Sequence, residues 1–217
     1  MAPRVGRLYC IDPGPALEIA KRNLAGIENV EFHRASVDSM PMADGSMDFG
    51  YSLGVIHHVP DPQSALNDCV RKLRTGAPFL VYLYYAFDNR PLWFRALWRL
   101  SDFLRRGICQ LPYSLRYSAS QCLALVVYLP LARTARVLET IGFRVDSFPL
   151  SSYRRLSFYT MRTDALDRFG TRLEQRFTRA QIERMLARAG LRDIRFADHV
   201  PYWCAVGVRS DSKDATG

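Results

Sequence analysis

The stretch Pro78 to Tyr85, PFLVYLYY, is a nearly unbroken apolar run. Such runs belong to parallel strands covered on both faces. A parallel strand needs a crossover helix, and the sequence predicts one directly upstream. Asp61 caps it, Pro62 takes its first position, and Leu66, Cys69, Val70 and Leu73 recur at i, i+3, i+4 and i+7. Arg71, Lys72 and Arg74 load its last turn against the helix dipole before Gly76. Further upstream the pattern predicts strands over Arg7 to Ile11, Val30 to His33 and Met47 to Leu53, with a helix over Ala16 to Ala25 that Gly26 stops. Near the other end, Thr178 and Gln181 form a capping box for a helix with Ile182, Met185, Leu186 and Ala189 on one face. Strands Arg192 to Ala197 and Tyr202 to Val208 follow, joined across Asp198 to Pro201. Strands alternating with helices make the fold α/β, with right-handed βαβ crossovers.

Between these parts the pattern changes. Asp88 to about Gly142 reads as helices rich in Trp, Leu and Arg, and Arg144 to Gly170 as an irregular stretch dense in Tyr, Ser and Arg. The expected organisation is a core part over 1–87, an insertion over 88–173, a helix and strand pair over 174–209 completing the core, and a disordered polar tail over 210–217. A chain of 217 residues, 48% hydrophobic, can bury one sizeable core. Its five scattered cysteines suggest neither a disulfide framework nor a metal site, so a reduced, cytoplasmic protein is expected. The longest apolar run, Cys122 to Ala132, is too short to span a bilayer and contains Pro130. A soluble chain is the expectation. The formal charge is +9. The arginines are spread without a dense basic run or a nucleic-acid module, so a solvated face is expected and no nucleic-acid partner.

In order, strand-Asp-Pro, VEFHRASVDSMPMADGSMDFGYSLGVIHHVPDP, a helix, LRTGAPFLVYLYY and the late RFTRAQIERMLARAGLRDIRF resemble class I S-adenosylmethionine-dependent methyltransferases of the kind grouped as type 11. The resemblance covers residues 5–86 and 174–208. It implies a Rossmann-like sheet of parallel strands with a C-terminal antiparallel strand, S-adenosylmethionine as cofactor, and a helical insertion after the fourth recognisable strand that caps the substrate.

Asp12, followed by Pro13, ends a strand where open α/β sheets bind ligands, and a carboxylate there can accept both hydrogens of a ribose diol. The resemblance gives it that role; alternatively it caps the helix from Ala16. Ser36, Val37 and Asp38 stand in the loop that the family sets against adenine, or else form an Asx turn before Met40-Pro41. Leu53 and Gly54 would border the methionine moiety, and His57 and His58 the methyl group, where a histidine could take a proton from an acceptor hydroxyl. The competing expectation is that one histidine packs and the other is solvated.

Methyl transfer from a sulfonium is an in-line displacement that mainly needs alignment and exclusion of water. Acceptor identity then falls to the insertion, where Trp93, Trp98, Tyr153, Phe158, Tyr159 and Arg162 offer aromatic walls and one polar partner for a small-molecule, glycan or lipid-linked acceptor, or else simply pack a helical cap. Residues 91–106 set Trp93, Leu97, Leu100 and Leu104 on one helical face with Arg95, Arg99 and Arg106 elsewhere. Such a helix can rest on a membrane surface or close over an active site. The sequence sets no oligomeric state.

One part has no counterpart. The resemblance implies a central first strand and a glycine-rich loop about twenty residues before Asp12. Only eleven residues precede Asp12, and no GxG occurs among the thirteen glycines. The expectation is a truncated or mis-started chain, or direct pairing of the strands at 7–11 and 47–53. Without the loop, cofactor binding would be weak or lost. A non-catalytic Rossmann-like interaction module and an NAD-linked enzyme are the alternatives.

Overall fold

The helix under the apolar run forms as its sequence dictates, and it sets the face on which the core is built. In α2 (Pro62–Lys72) the Asp61 side chain accepts from the Ser64 amide at 3.0 Å, satisfying one of the amide donors that the first turn leaves unpaired. Its apolar face buries Ala65, Leu66 and Val70 against Phe79 and Val81 of β4 (Pro78–Tyr82). The computed structural model describes residues 1–199 and 202–211. The chain divides into two units, Met1–Ala86 with Gln175–Gly217, and Phe87–Glu174.

The first unit holds two sheets. β1 (Leu8–Ile11) pairs in parallel with β2 (Val30–His33), with α1 (Ala16–Asn23) between them in sequence. The other sheet has the order β3-β4-β6-β5, with β3 (Gly50–Leu53) parallel to β4, and β6 (Cys204–Arg209) antiparallel to both β4 and β5 (Leu191–Phe196). Before β5, α7 (Arg179–Arg188) carries the complete capping box of Thr178 and Gln181 and adds Ile182 and Leu186 to the same core as α2.

Several expectations are corrected. Among the described residues β1 and β3 share no ladder, so they do not pair directly. The strand expected over 47–53 forms only from Gly50, Met47 making an isolated bridge to Leu73. The strand expected to reach Tyr85 ends at Tyr82, where Tyr85 bridges to Phe177 instead. The expectation that β4 is covered on both faces fails on one. Phe79 and Val81 are buried by α2 and α7, whereas Leu80 and Tyr82 are half-buried beside Tyr51 and Leu53 of β3, 42% and 49% exposed. Residues 200–201 of the expected joining segment and 212–217 of the expected tail lie outside the described residues.

The second unit is helical: α3 (Leu92–Ile108), α4 (Tyr113–Leu123), α5 (Leu129–Thr140) and α6 (Phe158–Gly170). Its core is a stripe of Ala124, Tyr128 and Ala132 against Met161, Ala165 and Phe169, each set spaced i, i+4, i+8. The irregular stretch expected over 144–170 is therefore wrong from Phe158 on. Ser157 caps α6 by accepting from the Thr160 amide at 3.1 Å. Pro130 does not break the preceding helix. A π turn over Ala124–Tyr128 widens the backbone just ahead of the proline ring. The helical run Tyr113–Thr140 thus continues for 28 residues, long and apolar enough to cross a membrane by length and composition, which the eleven-residue apolar stretch alone did not suggest.

Candidate functional site

The sequence-predicted cofactor residues all lie at or just beyond the carboxyl ends of strands in the first unit. Parallel pairing brings the ends of β1 and β2 to the same side, and the Asp12 amide donates to the His33 carbonyl at 3.3 Å. Asp12 does not cap α1, whose N-cap is Pro15 without a side-chain bond. Instead its Oδ1 accepts from the Gly14 amide at 2.6 Å, an Asx turn that fixes the carboxylate at the strand end while leaving Oδ2 as an acceptor. Pro13, between them, is exposed. After β2, Val37–Ser39 forms a single 3-10 turn preceded by Ser36 in extended conformation. Val37 packs against the core cluster of the larger sheet, while Ser36 and Asp38 stand exposed.

The third loop follows β3, in the other sheet. Leu53 is exposed, and Gly54 adopts φ +73 while its amide donates to the Tyr82 carbonyl at 3.0 Å. An L side chain is strained at that φ, so glycine is required by the turn. Gly50 at the other end of β3 is required for a different reason: a Cβ there would lie 2.9 Å from the Phe79 ring. β1 and β2 thus bring together Asp12 and the loop 36–38, and Leu53 and Gly54 belong to a sheet that shares no ladder with them.

His57 and His58 separate in environment. His57 is fully buried, its ring stacks on Tyr84 at 3.7 Å, and its Nδ1 accepts from the Tyr84 amide at 3.4 Å. Burial, the neighbouring His58 and the Arg176 guanidinium push its pKa down to about 3. The imidazole is neutral, and the bond at Nδ1 assigns its proton to Nε2, a buried donor without a partner among the described residues. His58 is half-buried with its ring 4.1 Å from that of His57. Tyr84 and Arg176 were not singled out from the sequence. The Arg176 guanidinium lies 5.0 Å over the Tyr84 ring, and Gln175 ties the loop down through its amide to the His57 carbonyl and its Nε2 to the Val59 carbonyl. The aromatic repeat of YLYY was the one signal available for Tyr84.

The three expected acceptor residues lie in the helical unit and do not present a common polar face. Tyr153 packs against the core around Tyr128, and burial together with Tyr128 and Asp164 raises its phenol above the usual range. Tyr159 is exposed. Arg162 is engaged by Gln121 Oε1 and the Tyr117 hydroxyl, which join α6 to α4. No group of three His, Cys, Asp or Glu suited to a metal occurs among the described residues.

Residues 1–81 match the model of a methyltransferase domain. An uncharacterised methyltransferase of Bacillus subtilis, YcgJ, is 31% identical over 67 residues, 31% of this chain and 26% of that protein. An uncharacterised 37.1 kDa protein in transposon TN4556 of Streptomyces fradiae is 35% identical over 72 residues, 33% and 21% of the two chains. The matched region therefore spans about a quarter of these relatives. Among solved structures, a chain of the complex between the Haloferax volcanii Trm112 methyltransferase activator and a methyltransferase aligns with 14% identity and a TM-score of 0.50, over 95% of this chain and 73% of that one. Human N-acetylserotonin methyltransferase in complex with S-adenosylmethionine aligns with 13% identity and a TM-score of 0.50, over 94% and 41%. The chain has the class I methyltransferase fold, and its first 81 residues match the methyltransferase domain family.

Proposed function

We propose that this chain belongs to an S-adenosylmethionine-dependent methyltransferase acting on a small-molecule, glycan or lipid-linked acceptor, and that these 217 residues hold one end of the cofactor and therefore bind it weakly. The observation that carries this reading is the strand-end carboxylate of Asp12 within the domain match, held by its turn to Gly14 with Oδ2 available. Asp12 would accept from the ribose diol, the exposed Ser36 to Asp38 loop would meet adenine, and Leu53 with Gly54 would border the methionine chain. The fit ends there. Among the described residues no strand pairs with both β1 and β3, so none offers the amide donors that the amino acid end of such a cofactor would need there.

The bound cofactor supplies an electrophilic methyl group on a sulfonium; the protein's task is orientation and exclusion of water. His57 cannot take a proton in its present tautomer, because its basic nitrogen is already engaged by the Tyr84 amide. It serves to orient the loop. His58 is the remaining candidate for receiving a proton from an acceptor hydroxyl. Incubation with S-adenosylmethionine and a pool of hydrophobic and glycan acceptors, followed by mass spectrometry, tests the reading: slow appearance of products heavier by one methylene supports it. A protein that binds the cofactor and leaves every acceptor unchanged favours the second reading, a Rossmann-like binding module, to which the inert His57 lends support.

A further inference from the structure

The helical unit turns α3 inside out. Its buried residues are Asp102 and Arg105, 8% and 5% exposed, and Leu92, Leu100 and Phe103 stand 78%, 59% and 73% exposed with Trp93, Leu97 and Leu104 beside them. The inward side is complete as it is. Asp102 Oδ1 accepts from Arg105 at 2.7 Å and Oδ2 from Arg106 at 2.9 Å, and Arg105 also reaches the Thr171 carbonyl at 2.9 Å. Burial pushes the Asp102 carboxyl up, and the hydrogen bonds and charge of Arg105 and Arg106 outweigh it, leaving the group ionised below its usual range. The outward apolar face thus has no role in holding α3 in its unit. It is also part of a wider pattern: of 25 large apolar side chains exposed among the described residues, 19 lie between Phe87 and Glu174. On α3 itself Leu92, Trp93, Leu97, Leu100, Phe103 and Leu104 fall on one helical face, and an exposed apolar face of this kind marks an interaction site.

Charge identifies the partner. Phe87–Glu174 carries 14 arginines and no lysine against 7 acidic residues, so it holds +7 of the chain's formal +9. On α3, Arg95, Arg99 and Arg106 flank one edge of the apolar face, and Trp98, Arg99, Asp102, Phe103 and Arg106 line an open depression of about 370 Å³. An aromatic and leucyl face edged by guanidinium groups fits the interface of an anionic bilayer, where side chains enter the acyl boundary and arginines meet phosphates. We propose that the unit Phe87–Glu174 docks on an anionic phospholipid surface through the outward face of α3. This adds a location to the proposed activity and is independent of cofactor binding.

Flotation of the full chain with vesicles of phosphatidylcholine and phosphatidylglycerol tests it. The expected result is binding that weakens in pure phosphatidylcholine and at high salt, with a blue shift of tryptophan emission that Trp93→Ala reduces. L97E/L100E, both on the exposed face, is expected to keep the far-ultraviolet spectrum and thermal transition of the parent and to bind about a hundredfold more weakly, the effect of withdrawing two leucyl side chains from the bilayer. The proposal is overturned by absence of binding to anionic vesicles, by unchanged binding of the double variant, by a dimer that the double variant dissociates, or by resistance to alkaline carbonate extraction, which would mean that Tyr113–Thr140 spans the bilayer.

Discussion

His57 is held by groups that all act against its positive charge: burial, His58 and Arg176. Its folded pKa of about 3 lies below the ordinary value of 6.5, so the unfolded chain binds the proton more readily. The stabilisation it contributes is present above about pH 6.5 and is lost as pH falls toward 3. Unfolding free energies from urea titrations across that window are expected to fall with pH, by up to about 1.4 kcal/mol per pH unit for one proton, and His57→Gln is expected to flatten the slope. Asp12→Ala removes one part-buried turn bond, so a stability loss of about 1 kcal/mol is expected alongside loss of cofactor affinity, read by thermal melting and by titration. The position of Asp12 at a strand end was legible in the sequence because the strand, the Asp-Pro-Gly break and the helix follow each other locally. The burial of His57 was not, because it depends on Tyr84, 27 positions on, and on Gln175 and Arg176, more than a hundred positions away from that loop in sequence.

Elements with their own end signals were the most legible. Asp61-Pro62 and Thr178 with Gln181 announce α2 and α7, and both caps form. Leu66 is fully buried in the core that these helices build, so Leu66→Ala is expected to cost about 2–5 kcal/mol in chemical denaturation. Thr178→Ala is expected to cost about 1 kcal/mol, from the capping box alone. α6 was hidden. Its Ser157 cap and its Met161, Ala165 and Phe169 stripe were present, but they lay in a stretch whose Tyr, Ser and Arg content reads as irregular. The long helix through Pro130 was missed for a related reason, since a π turn absorbs the proline and local pattern does not register that remedy.

At the scale of the whole molecule, composition and alternation of strands and helices were enough to give an α/β fold, and motif order was enough to give the methyltransferase resemblance. What they could not give is the division of the strands into β1-β2 and β3-β4-β6-β5, because sheet membership depends on which edges meet. That division bears on the proposed site: the residues proposed to meet ribose and adenine follow one sheet, and those proposed to border the methionine chain belong to the other. In the proposed function these residues form one end of a cofactor site, with Asp12 as its anchor. Calorimetric titration of S-adenosylhomocysteine into the chain and into Asp12→Ala tests it most directly. A dissociation constant of about 1 mM, lost in the variant, is the predicted result; micromolar binding by the chain, or equal binding by both proteins, would contradict it.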